Sequence, residues 1–159
     1  MRKKPALSLR TRALQYLARR EYSRAELRGK LLPHVQKEDE FDSASAPDVD
    51  ALLDDLTQRG WLSDERAVTQ LLLAKRGRYG AQFIAHELRQ RGIEETLIAG
   101  ALPELKETEL ATAREVWRKK FGATPQDAKE KARQMRFLQS RGFGFEVIAQ
   151  VLRLEDAPD

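Results

Sequence analysis

Histidines, cysteines and paired carboxylates build most active sites, and this chain offers few of them in useful arrangements. His34 and His86 lie far apart in the sequence, outside any metal-ligand spacing. With no cysteine, the chain has neither disulfides nor thiolate zinc sites to hold it together. Asp54-Asp55, Asp64-Glu65 and Glu94-Glu95 are adjacent acids. On a helix such neighbours point apart and hold a metal poorly, so they read as helix starts and solvated faces. The sequence has no glycine-rich phosphate fingerprint. Catalysis needs converging groups of matched pKa, and this pattern points away from an enzyme, a metal centre or a cofactor.

Cationic charge is what the chain does offer. The net charge of +4 conceals a block pattern. Residues 1–37 carry eleven Lys/Arg against two acids, whereas residues 38–56 carry eight acids and no base. Residues 57–93 are again basic (seven to three), 94–110 acidic (one to five), 111–143 basic (nine to three) and 144–159 acidic (one to four). Stretches basic enough to seek a polyanion therefore alternate with stretches that avoid one. The candidate contacts are Arg19, Arg20, Arg24 and Arg28 in the first basic block, and Lys75, Arg76 and Arg78 in the second. Lys119, Lys120, Lys129, Arg133 and Arg136 are the candidates in the third. Lys129, Arg133 and Arg136 share one helical face, and no acid falls at i+4 to neutralise either arginine.

The elements that carry these cations repeat. Leu138-Gln-Ser-Arg-Gly-Phe143 and the residues to Leu152 match Leu88-Arg-Gln-Arg-Gly-Ile93 and the residues to Leu102, fifty positions earlier. Each copy reads as a helix, a glycine stop, an apolar anchor and a second helix. Gly92 and Gly142 suit the left-handed position after a helix end. Residues 14–31 map onto 71–88 at an offset of 57. The predicted architecture is all-α: three tandem three-helix repeats, over residues 1–62, 63–107 and 108–159, in an elongated, curved array.

Along the chain, a first helix over Ser8–Arg20 places Leu14, Leu17 and Ala18 on its apolar stripe. Ser23-Arg-Ala-Glu26 forms a capping box for a second helix that Pro33 ends early. Residues 38–47 read as an acidic flexible loop. A third helix from Asp48 turns Val49, Leu52, Leu53 and Leu56 inward, and Ser63 caps the next. In the last repeat, Thr124-Pro125 reads as a cap and a first-turn proline for a helix running to Arg141. Trp61, Trp117, Phe121 and Tyr79 fall at helix junctions and read as core rather than base-stacking residues. No apolar run approaches the roughly 18–20 residues that span a bilayer, and no apolar signal core follows the basic Met1–Pro5. A cytoplasmic protein is expected.

The chain resembles the RecX family. The resemblance rests on Tyr16-Leu-Ala-Arg-Arg20, Tyr22-Ser-Arg-Ala-Glu-Leu27, Gly60-Trp-Leu-Ser-Asp-Glu-Arg66, Glu87-Leu88 with Arg91-Gly92-Ile93, and Arg133-Gln-Met-Arg-Phe-Leu-Gln-Ser-Arg-Gly-Phe143. Ala67 departs from the family's aromatic residue, Gly144 stands where a capping serine is frequent, and residues 38–47 look inserted. The resemblance implies a non-catalytic regulator of the RecA recombinase that lies in the groove of the RecA–DNA filament. It further implies suppression of ATP hydrolysis, strand exchange and co-protease activity, with consequences for recombinational repair and the SOS response. The partners it implies are RecA, as filament or monomer, and single- and double-stranded DNA bound weakly, by a chain that is itself monomeric. An ordinary helix-turn-helix DNA reader is the alternative. Its recognition helix would be the third of a unit and basic, whereas 48–56 and 94–102 are acidic.

Overall fold

The structure, a computed structural model, describes residues 7–35 and 46–153. Every regular element among them is an α-helix, as the periodicity predicts: α1 (Leu9–Arg19), α2 (Arg24–Val35), α3 (Ala46–Gln58), α4 (Asp64–Lys75), α5 (Ala81–Gln90), α6 (Glu95–Lys120), α7 (Ala128–Ser140) and α8 (Phe145–Leu152). The expected acidic loop lies outside the described residues as far as residue 45, and residues 46 and 47 already belong to α3. The basic N-terminus and the acidic tail from residue 154 also lie outside them. Among the described residues no helix is long and apolar enough to cross a membrane.

The described residues form two compact units. One runs to Ala67 and takes in Arg91–Ile93; the other comprises Val68–Gln90 and the residues from Glu94 onward. In the first unit α1, α2 and α3 close on Ala13, Leu27, Leu31, Val49, Leu53 and Leu56, all fully buried. The leucine and valine side chains contribute about 1.5–3 kcal/mol each when removed from water. The buried stripe of α1 differs from the expected one. Ala13 is its centre, with Leu9, Tyr16 and Leu17 packed beside it, while Leu14 and Ala18 face solvent. Positions 9, 13, 16 and 17 recur at helical spacing and add a tyrosine ring, burying more apolar area than 14, 17 and 18.

The capping box forms as expected. The Glu26 amide donates to Ser23 Oγ at 3.0 Å and the Ser23 amide to Glu26 Oε1 at 3.1 Å. Pro33, however, sits inside α2, which continues to Val35. Proline forfeits one backbone bond there, but Leu31 is buried and Leu32 and Val35 pack against the core, which keeps the turn in place. Gly60 ends α3 at φ 76°, and the amides of Trp61 and Leu62 both reach back to the Leu56 carbonyl. Leu62 then enters the core, whereas Trp61 is 46% exposed. Neighbouring residues after a turn point in different directions, so one of the two had to face water.

The repeat read from the sequence has matching environments. Leu88 and Leu138, then Ile98 and Ile148, are buried, and Gly92 and Gly142 adopt φ of 74° and 88°. The last helix expected for the second repeat and the first expected for the third are one continuous helix, α6, of 26 residues. Pro103 lies within it and cannot donate to the Ala99 carbonyl. Ile98 before it, and Leu105 and Ala113 after it, are buried, so packing on both sides sustains the helix. The start of α7 also differs from the expectation. Asp127, not Thr124, is the N-cap, its carboxylate accepting the Glu130 amide at 2.7 Å. An ionised cap is favoured at the positive end of a helix.

Candidate functional site

At least one acid of each adjacent pair is engaged by an arginine. Asp55 lies between Arg10 and Arg59, at 2.7 and 2.9 Å. Hydrogen bonds from these two guanidiniums hold its carboxyl below the usual range. Asp54 pairs with Arg24 at 2.7 Å, Asp64 accepts the Arg24 amide at 2.7 Å, and Glu95 pairs with Arg89 at 2.6 Å. Among the described residues no group of three or more His, Asp or Glu side chains is arranged to hold a metal ion.

The candidate cations fall into two classes. Arg20, Arg24 and Arg28 are held within the first unit. Arg20 meets Glu26 at 2.7 Å, donates to the Glu21 carbonyl at 2.8 Å and lies over the Tyr22 ring at 3.7 Å. The hydrogen bond to Glu26 raises the Arg20 guanidinium above its ordinary value. Arg28 meets Asp50 at 2.9 Å. These pairs brace α2 against its neighbours rather than standing clear for a partner. Among the described residues Arg19 meets no carboxylate, and it lines a cavity of about 110 Å³ with Arg12, Gln15 and Tyr16. Arg12 Nε is buried and meets no acceptor among the described residues.

The cations of the second unit are more available. Arg76 faces Glu104 at 3.6 Å, a pair exposed on both sides and therefore weak. Lys75 and Arg78 flank the Tyr79 ring at 5.2 and 5.9 Å, and Tyr79 stacks on Phe83 with centroids 4.0 Å apart. On α7, Lys129, Arg133 and Arg136 are exposed as expected. Arg133 nonetheless has a carboxylate neighbour: Glu130, three residues earlier, lies 3.3 Å away. The opposite charge is supplied from the i−3 side, which a test of i+4 positions alone passes over.

Three of the candidates converge. Arg78 after α4, and Lys119 and Lys120 at the end of α6, line a cleft of about 300 Å³ with Val116 and Phe137. Arg141, at the end of α7, completes it. In the sequence Arg141 stands out only as the residue before the glycine stop. Its guanidinium lies 5.2 Å from both the Tyr79 and Phe137 rings, and Lys120 Nζ lies 5.4 Å from Phe137. Glu115 is the one carboxylate of the lining and is shared by Arg118 at 2.7 Å and Lys119 at 3.8 Å. A hydrogen bond from Arg118 holds its carboxyl below the ordinary glutamate range.

Two joints fix this geometry. Trp117 Nε1 donates to the buried Gln134 at 2.9 Å, and Gln134 donates to the Ala123 carbonyl at 3.0 Å, locking α7 against the end of α6. At the other side, the amides of Gly80 and Gln82 donate to the carbonyls of Arg141 and Gly142 at 2.7 and 3.2 Å. The orphan amides that open α5 thus satisfy orphan carbonyls that close α7. A Cβ on either Gly80 or Gly142 would overlap the opposing backbone.

Comparison with known proteins places this arrangement. Residues 63–102 match the second three-helix domain of RecX and residues 107–152 the third, so α6 is shared between the two matches. The chain is 47% identical to the regulatory protein RecX of Leptothrix cholodnii, over 96% of this chain and 92% of that one. It is 46% identical to the RecX of Chromobacterium violaceum, over 91% and 89%. The crystal structure of RecX from Lactobacillus salivarius has the same fold at 17% identity, with a TM-score of 0.69 over 94% of this chain and 96% of that one. A second crystal structure of a regulatory protein RecX superposes at 0.72, with 20% identity over 90% and 70%. With that identity sustained along nearly the whole chain, this protein belongs to the RecX family of regulatory proteins.

Proposed function

We propose that this protein regulates the RecA recombinase by binding the RecA–DNA filament and suppressing ATP hydrolysis, strand exchange and co-protease activity. It does so in the cytoplasm, as a monomer without catalytic chemistry of its own. The observation that carries the reading is the near full-length identity to regulatory RecX proteins. The distribution of charge supports it, since a filament presents both phosphates and protein side chains to an alternating surface. The repeats at 1–62, 63–107 and 108–159 would then meet successive stretches of the filament, linking weak sites at high effective concentration. The available cations, rather than the braced Arg20, Arg24 and Arg28, supply the contact.

The test is DNA-dependent ATP hydrolysis by RecA from the same source. Adding this protein should lower the rate, and the protein alone should hydrolyse neither nucleotide nor DNA. An unchanged rate at saturating protein refutes the proposal. Replacing Arg133 and Arg136 by glutamate should weaken inhibition while leaving α7 folded, because both side chains are exposed and surface changes usually cost within about 0.5 kcal/mol.

A further inference from the structure

The cleft of Arg78, Lys119, Lys120 and Arg141 holds more positive charge than the fold itself requires. It lies where α4, α6 and α7 end, and each helix C-terminus carries roughly half a negative charge. Three such ends account for about one and a half cations, whereas the lining supplies four cations against one carboxylate. The surplus faces a wall that is apolar, formed by Val116 and Phe137. At about 300 Å³ the cleft is at the small end of ligand sites.

We propose that this cleft is a single-strand subsite that takes one unstacked nucleotide. Its base packs against Val116 and Phe137, and the flanking phosphates lie among Arg78, Arg141 and Lys120. A nucleotide brings a flat apolar face and negative charge in one unit, which is what the wall and rim require together. A carboxylate of an acidic peptide satisfies the rim but leaves the wall uncovered. A duplex keeps its bases stacked, so only its phosphates reach the site. The cations are already placed, since Lys120 and Arg141 are held at the Phe137 ring. Selectivity for single strands over duplex follows. The proposal rests on the filament-binding reading for its biological setting, but its chemistry is testable with DNA alone.

The experiment measures anisotropy of a labelled thymine oligonucleotide of about eight nucleotides, within the usual span of single-strand sites, against the full chain across a salt series. An abasic strand and a duplex of equal length are the comparisons, and polyglutamate is the competitor. The thymine strand should bind about fivefold or more tightly than the abasic one, from the stacking of one base. Changing Arg78 and Lys120 together to glutamine should flatten the slope of log K against log salt by about 1.4, two phosphates at roughly 0.7 each. Both side chains are exposed, and helicity is checked by circular dichroism. Glu115→Gln removes the one carboxylate and should tighten binding. Equal affinity for thymine and abasic strands overturns the proposal. So does a double variant that keeps DNA binding and loses only polyglutamate. If the wild-type protein inhibits RecA while the double variant keeps the full salt slope, the subsite is wrong and the regulatory reading stands. If the slope flattens but wild-type protein leaves RecA untouched, the subsite stands and the regulatory reading falls.

Discussion

Gly142→Ala tests the joint between α5 and α7 most directly. Gly142 sits at φ 88°, where a Cβ costs an L-residue about 1–2 kcal/mol. The added carbon also overlaps the Phe83 backbone, so the start of α5 must move away. That movement threatens the Gly80–Arg141 and Gln82–Gly142 backbone bonds, at 2.7 and 3.2 Å. Gly80 and Gly142 are both buried, and each polar group left unpaired in such a place costs about 1–3 kcal/mol. The loss should therefore reach at least about 3 kcal/mol, a fall in Tm of about 6 °C or more for a chain of this length. Gly60→Ala is the control. Gly60 has φ 76° but nothing within 4 Å of a new Cβ, so the backbone penalty stands alone at about 1–2 kcal/mol. Gly80→Ala meets the same joint from the other side, and the double change Gly80→Ala with Gly142→Ala should cost less than the sum of the two. Thermal and urea unfolding followed by far-ultraviolet circular dichroism measures all four. If Gly142→Ala costs no more than Gly60→Ala, or if the pair is additive, the joint does not hold the helices as argued.

Gln134→Leu should destabilise the second unit by about 1–3 kcal/mol, because it leaves the Trp117 indole and the Ala123 carbonyl without their buried partner; urea midpoints measure this, and an unchanged midpoint would contradict the assignment. Leu62→Ala should cost about 2–5 kcal/mol as a core truncation, whereas Trp61→Ala should cost far less, a ranking that thermal unfolding checks. Stability should also depend on pH through Glu26. Burial alone would raise its carboxyl, but the Arg20 hydrogen bond, the Ser23 amide and the nearby guanidiniums outweigh it and hold the group below its ordinary value. The stabilisation is therefore fully present above the unfolded value of about 4.3 and is lost as pH falls through the lower folded one. Glu26→Gln should be less stable than wild type near neutrality and converge with it in acid; a constant gap across that range would count against the pair.

The features legible in the sequence were those set by local chemistry. Ser23 and Glu26 announce a capping box by spacing, and it forms. Gly92 and Gly142 announce helix stops, and both take positive φ. Leu88 and Leu138 occupy matched buried positions because one pattern of apolar spacing builds both helices. What escaped was set by competition or by assembly. Thr124 and Asp127 both had the chemistry of a cap, and only the packed structure chose the acid. Residues 94–102 and the stretch from Leu110 read as separate helices, but buried residues on both sides of Pro103 carry α6 through without a break. Glu130 reaches Arg133 from three residues before it, on the side opposite the i+4 position. The cleft was invisible for a different reason. Blocks of charge along the sequence join chain neighbours, whereas Arg78, Lys120 and Arg141 come from the ends of three helices that are distant in sequence.

Because α6 is unbroken, the second and third RecX domains share one rigid axle. A residue inserted between its two halves would turn everything downstream by about 100° and advance it by about 1.5 Å. A single insertion near Pro103 would thus swing Lys119 and Lys120 to another side of the axle and dismantle the cleft without touching any of its side chains. Insertions of about seven or eleven residues, close to whole turns, would restore the phase but not the distance. The length of this segment is therefore fixed by rotation as much as by reach, and relatives that change it should do so in steps that preserve the turn.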